Sequence, residues 1–301
     1  MRKGYYTLMT LGLAGAITLG GAGILSQKIS SARSEKIITT VNKNAEPMGR
    51  LDNAADSNGQ RSEKEVFHKK YGIYLPESAE IKEKTGDSLT ILWNGYEFTY
   101  HMSEGEEQTE ADMGLLDAVM AAIESVQKYG EQDVTGKNIE ISLQRNLLTD
   151  DESTLLNMDG MENADIVNRK NYGVRYYAVD ISGVKLHQYS LRINSVTGEV
   201  FGYVDYHDRG PDAEYGQEFE AGELKKMEPE FASLAGEFVK ESLCLGEIKE
   251  YDFKVGLMET ENVCREIFHI ICKTKENDVV LVAMDPIEKS VLCFEINPLL
   301  P

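Results

Sequence analysis

The chain has 301 residues, 42% of them hydrophobic, enough to fill a core and more than one domain usually needs. Its formal charge is −20, and the acidic excess lies beyond residue 43, where 25 basic residues face 50 acidic ones. A body of that sign repels phosphate backbones and anionic lipid, which excludes nucleic acid as a partner.

Between Lys3 and Lys28 lie 24 residues without a charge. As a helix they would reach about 36 Å, more than the hydrocarbon thickness of a bilayer, so residues 1–27 predict a transmembrane anchor or signal segment and contact with the membrane through 4–27. The best small-x-small site, at 30–32, is late and follows Lys28, which favours an uncleaved anchor over a cleaved signal. Arg2, Lys3 and the amino terminus then remain in the cytoplasm, and the expected location is the cell membrane, single-pass, with an extracytoplasmic body. Gly12, Ala16 and Gly20 recur every four residues, a small-residue stripe that would permit homodimerisation. Residues 28–64 are polar and turn-rich and predict a flexible linker.

A first unit is expected over 65–210 and a second over 211–301. In the first, Asn94-Gly95 between the apolar runs 89–93 and 96–102 is a hairpin signal, because a type I′ turn needs positive φ at both central residues. Thr109 and Asp112 form a capping pair ahead of Met113, Leu116, Met120 and Ile123, whose spacing predicts a helix ending at Gly130. Strands are predicted over 139–143, 172–181, 188–194 and 199–206. The second unit repeats the order: a helix with Pro229 in its first turn and a stop at Gly246, then strands over 251–257, 264–273, 279–284 and 291–296. Short turns between the strands imply antiparallel neighbours with the helix over one face.

Residues 177–203 can be laid on 268–294 without a gap, at a constant offset of 91. Tyr177, Val179 and Ile181 fall on Phe268, Ile270 and Cys272; Leu191 and Ile193 fall on Val282 and Met284; Phe201 and Tyr203 fall on Leu292 and Phe294. A period of two kept through three segments predicts a duplicated extended module.

Within that module, 189–204 (YSLRINSVTGEVFGYV) resembles the PepSY family, with Asn194, Thr197, Gly198 and Glu199 at the places of its strand-turn-strand pattern. The second unit keeps Asp285 but has Pro286, Ile287, Glu288 and Lys289 where the glycine turn would be. The resemblance implies a helix packed on an antiparallel sheet, outside the membrane, in proteins that bind or restrain peptidases and other envelope enzymes, and it implies no chemistry of its own. The expected fold class is therefore α+β, with an N-terminal transmembrane helix followed by two PepSY-like helix-on-antiparallel-sheet units.

No catalytic, cofactor-binding or metal-binding residue stands out. His68, His101, His187, His207 and His269 lack any HExxH or His-x-His spacing, and His269, on the face opposite Phe268 and Ile270, is expected to be exposed. His207 reads as part of the junction between the units. Asp150, Asp151, Glu152, Asp159, Glu162 and Asp165 make 146–171 a solvated acidic insertion without the spacing of a calcium loop. Cys244, Cys264, Cys272 and Cys293 allow three disulfide connectivities; Cys272 and Cys293 fall on opposite sheet faces and cannot meet, thiols are expected, and Cys244 with Cys272 is the bridge to examine first.

The expected function is an extracytoplasmic binding or regulatory protein that modulates another envelope protein, with no enzymatic activity and no cofactor. The alternatives are an accessory subunit of a membrane sensor system and an enzyme whose type leaves no recognisable motif.

Overall fold

The computed structural model describes residues 65–103, 105–147, 170–184, 187–207, 219–259 and 264–298. Strand makes up 47% of it and helix 20%, in two helices. This corrects the expected fold class: the described residues are predominantly β, not a pair of α+β helix-on-antiparallel-sheet units. No helix among the described residues is long and apolar enough to cross a membrane. The run 4–27 with Gly12, Ala16 and Gly20, the linker 28–64, and the acidic residues at 150–165 lie outside the described residues.

The chain divides into two compact units, one built from 65–146 with 173–206 and the other from 219–298 with 170–172. In the first, β1 (Glu65–His68) and β2 (Ile73–Pro76) form a two-stranded antiparallel sheet. A larger sheet contains β3 (Glu80–Thr85), β4 (Ser88–Trp93), β5 (Tyr96–His101), β6 (Asn138–Arg145), β7 (Arg175–Val184), β8 (His187–Asn194) and β9 (Val200–His207), in the order β3-β4-β5-β6-β7-β8-β9. Asn94 and Gly95 turn β4 into β5 with φ of 47° and 83°, and the strands pair in antiparallel register.

Between β5 and β6 runs α1 (Leu115–Gly130), and those two strands are parallel, with Tyr100 opposite Ile141. This is a second correction to the antiparallel reading. A helix inserted between two neighbouring strands carries the chain back to the starting end, which a hairpin cannot do. Leu115, Val119, Ala122, Ile123 and Val126 form the buried stripe of α1, packed over β7, β8 and β2. Thr109 and Asp112 do meet, Asp112 accepting from the Thr109 backbone at 2.7 Å and its hydroxyl at 2.8 Å. They shape the turn before the helix, whose own N-cap is Gly114.

The second unit has α2 (Ala221–Glu237), which continues as a π-helical turn over Phe238–Ser242, then β10 (Ile248–Glu259), β11 (Cys264–Thr274), β12 (Val279–Met284) and β13 (Val291–Ile296). Their order is β10-β11-β12-β13, antiparallel throughout. Here α2 begins eight residues before Pro229, which lies inside it. A reciprocal box starts it, with Glu220 and Glu223 each accepting from the other's backbone N–H.

The pairing registers repeat with the sequence offset. Tyr177 lies opposite Ile193 and Val179 opposite Leu191; Phe268 lies opposite Met284 and Ile270 opposite Val282, each 91 residues on. Ile141 opposite Val179 recurs as Phe253 opposite Ile270, where the first member has moved by 112. The difference, 112 less 91, is 21 residues and falls between β6 and β7, where the sequence places its acidic insertion. In both units these apolar pairs are buried, apart from the half-buried Phe253.

Candidate functional site

Twelve residues make β10 the longest strand among the described residues, and it stands at the end of its sheet order. Its ladder with β11 is regular from Glu250 opposite Lys273 to Glu259 opposite Cys264, after an irregularity at 249. Alternation gives it two characters. Tyr251, Phe253 and Val255 share a face with Cys272, Ile270 and Phe268, and the Phe253 ring meets that of Phe268 at 5.0 Å, which in turn meets Phe231 of α2 at 4.8 Å. Asp252, Lys254 and Gly256 share the other face with Ile271, His269 and Ile267. Lys254 lies 3.3 Å from Asp252, and Lys273 lies 3.0 Å from Glu250, a hydrogen bond that holds the Glu250 carboxyl below its ordinary range.

Among the described residues no strand pairs with the outer side of β10, and Tyr251 is 45% exposed there. The end strand of the first unit, β3, differs. Its sequence, EIKEKT, is charged at four of six positions, its ladder slips between Ile81 and Glu83, and Lys82 pairs with Glu97 at 2.9 Å. Charge and irregularity of that kind discourage strand addition; β10 also carries charges, but from 250 to 259 it keeps a regular ladder and presents two aromatic rings.

Behind β10 the sequence reading of His269 is overturned. Its side chain is buried, 2% exposed, and Nε2 has no hydrogen-bond partner. A Cβ at Gly256 would lie 2.8 Å from Nε2 and 3.1 Å from Cε1, so the bare glycine on β10 is what admits the ring. Burial, and then the Lys254 charge, lowers its pKa to about 4. Strand alternation alone placed His269 on the outer face; the legible signal was a glycine in the neighbouring strand, which marks a close approach.

On the first unit a line of polar side chains crosses the sheet. Ser88 Oγ lies 2.9 Å from His101 Nδ1, His101 Nε2 lies 3.0 Å from Glu140 Oε2, and Asn138 donates to Glu140 Oε1 at 3.1 Å. Asp180, opposite Glu140, has its carboxyl pushed up by burial. The line has the members of a nucleophile, base and acid relay but not its setting. The His101 and Glu140 side chains are 43% and 47% exposed, so water screens any charge developing there, and a relay of this kind gains most where water is excluded.

The polar network before α1 is a latch. Arg175 at the start of β7 donates to Asp112 at 2.7 Å and to the Glu107 carbonyl, and Ser195 donates to the other Asp112 oxygen at 2.6 Å. Tyr177 donates to the Met113 carbonyl at 2.8 Å. Beneath it Tyr100 is pushed up to about 12 by burial. Ninety-one residues after Arg175, Glu266 accepts the Phe219 backbone N–H at 3.0 Å. Both positions fasten the segment that leads to a helix, with opposite charge.

Cys244, exposed, and Cys272, buried, are free thiols, so they are not bridged to each other. Burial pushes the Cys272 thiol up to about 11, which leaves it without thiolate reactivity. His187 pairs with Asp205 at 2.8 Å and stacks on Tyr189. No group of three or more His, Cys, Asp or Glu among the described residues is placed to hold a metal ion. Comparison with protein-family models, with curated proteins and with solved structures finds no match to this chain.

Proposed function

We propose that this chain is a binding and regulatory protein of the cell envelope, acting outside the cytoplasm, that modulates another protein there by taking an extended segment of it onto β10. The observation that carries the reading is β10 itself, a long end strand, regular from 250 to 259, with an exposed aromatic residue, whereas the end strand of the first unit is short and slips in its ladder. Main-chain hydrogen bonds supply the affinity in such an addition, and the side chains at alternate positions select the segment. The acidic surface selects against acidic partners. The apolar run 4–27 supports the location, and the PepSY-like turn at 194–199 supports an envelope enzyme as the partner class.

The test is a photo-crosslinking residue placed in the full chain in living cells, in place of Tyr251 or of Lys82. One defined envelope protein joined through position 251 and not through 82 is the expected result. Equal capture from both positions, or none from 251, overturns the reading. Protease added to cells stripped of their wall should remove the body; survival until lysis overturns the location.

A further inference from the structure

The side chains of β10 are complementary to themselves in the antiparallel register centred on Phe253. We propose that in the absence of its partner β10 pairs with β10 of a second copy, with Phe253 facing its own counterpart across a two-fold axis. The inference rests on β10 being the binding edge and names what occupies it between binding events.

In that register Asp252 stands opposite the second copy's Lys254, and Lys254 opposite its Asp252, so two opposite-charge pairs form on one face. Tyr251 stands opposite Val255 twice on the other face, an aromatic and β-branched pairing that covers the ring now 45% exposed. Glu250 falls opposite Gly256 and keeps its own bond to Lys273 at 3.0 Å. Moving the register by two residues one way puts Asp252 opposite Asp252 and sets Glu250, already bonded to Lys273 at 3.0 Å, opposite Lys254 twice; two the other way puts Lys254 opposite Lys254. Moving it by one exchanges the faces and sets Phe253 against charge. The charges that guard this edge against indiscriminate addition thus favour the self-pairing centred on Phe253, which sets no like charges opposite each other and leaves Glu250 with Lys273.

Self-pairing hides the same main-chain groups that a partner segment needs. Dissociation of the pair therefore precedes binding, and apparent partner affinity falls as the concentration of the chain rises.

The experiment is light scattering on the purified full chain in mild detergent, as wild type and with single charge reversals. Asp252→Lys sets lysine against lysine twice, and Lys254→Asp sets aspartate against aspartate twice; each should weaken the dimer by about tenfold or more. An equimolar mixture of the two restores both opposite-charge pairs, so a mixed dimer with one chain of each kind should form, resolved by a mass tag on one of them. The double exchange Asp252→Lys with Lys254→Asp should dimerise like the wild type and controls for misfolding of either single variant.

A monomeric wild type, single variants that dimerise undiminished, or a mixture no tighter than its components each overturns the self-pairing. A monomer that still crosslinks a partner through position 251 removes this inference alone. A dimer that obeys the charge exchange while no partner is captured removes the proposed function and leaves the pairing.

Discussion

Lys289 holds the left-handed conformation, φ 54°, that Gly198 holds at φ 72° ninety-one residues earlier, in turns with the same hydrogen bonds. Asn194 Oδ1 accepts from the N–H groups of Val196 and Thr197, and Asp285 Oδ1 accepts from those of Ile287 and Glu288. The N–H of Gly198 reaches the Asn194 carbonyl and that of Lys289 the Asp285 carbonyl, both at 2.9 Å. The second turn thus keeps the geometry of the first without its glycine. A left-handed lysine costs about 1 kcal/mol against glycine. Lys289 also pairs with Glu230 of α2, but both side chains are largely exposed and such pairs contribute about 0–1 kcal/mol. In a Glu230→Gln background, Lys289→Gly should raise stability by about 0.5–1 kcal/mol in urea unfolding. Gly198→Lys, whose Cβ would meet Met113 only at ordinary contact distance, should lower it by about 1–2 kcal/mol. No loss from the second substitution would show that the turn does not require positive φ.

His269 sets an acid limit on stability. Its folded pKa, about 4, lies below the ordinary 6.5, so between those values the unfolded chain binds the proton and the folded chain does not. Stability from the neutral buried ring is complete above about pH 6.5 and is lost as pH falls towards 4, by up to about 3 kcal/mol. Thermal unfolding from pH 7 to 4 should show that step in the wild type and a smaller one in His269→Leu. Identical profiles would mean that the ring titrates freely.

Gly256→Ala drives a methyl group into the imidazole at 2.8 Å and should destabilise by about 1–3 kcal/mol. His269→Ala in the same chain removes the obstacle, so the double variant should be less destabilised than the two single effects summed. Strict additivity, measured by urea unfolding, would contradict the contact.

The extended elements were legible because period-two patterning is written residue by residue: β8, β12 and β13 lie within a residue of their predicted bounds. Asn94-Gly95 was legible because few dipeptides accept positive φ twice. The parallel pairing of β5 with β6 was not, since it depends on where α1 delivers the chain and not on either strand's own sequence. Pro229 misled the reading of α2 because proline favours a first turn, while the box of Glu220 and Glu223, nine and six residues upstream, sets the start. β3 went unread because a strand with four charged positions in six has no apolar period. Most of the candidate edge was visible as a strand; that it ends its sheet is a property of order, which no local pattern encodes.

Arg175 carries the largest expected loss. Asp112 has a side chain 1% exposed, and Arg175→Ala leaves that carboxylate buried without its cation, at a cost of about 3–5 kcal/mol. Glu266→Gln keeps an acceptor for the Phe219 N–H and should cost under about 1 kcal/mol. Comparable losses from the two would contradict a buried ion pair in the first unit and a neutral-tolerant clasp in the second.

Ser88→Ala tests the polar line on the first unit. The expected results are wild-type partner binding, stability within about 1 kcal/mol, and no labelling of Ser88 in the wild type by a fluorophosphonate. Stoichiometric labelling of Ser88, with turnover of an ester that the substitution abolishes, would assign that line a catalytic role.

If a partner adds to the outer side of β10, its binding depends on single backbone donors of that strand, which proline removes one at a time. In an antiparallel ladder adjacent residues point their N–H groups in opposite directions, so of Lys254 and Val255 one donates to β11 and the other outwards. Lys254→Pro and Val255→Pro are compared with the alanine variants at the same positions, reading the melting temperature and the affinity for the captured partner. One proline variant should melt close to its alanine control yet bind at least about tenfold more weakly, while the other should lose the fold. A proline variant that keeps the fold and binds like its alanine control would contradict it.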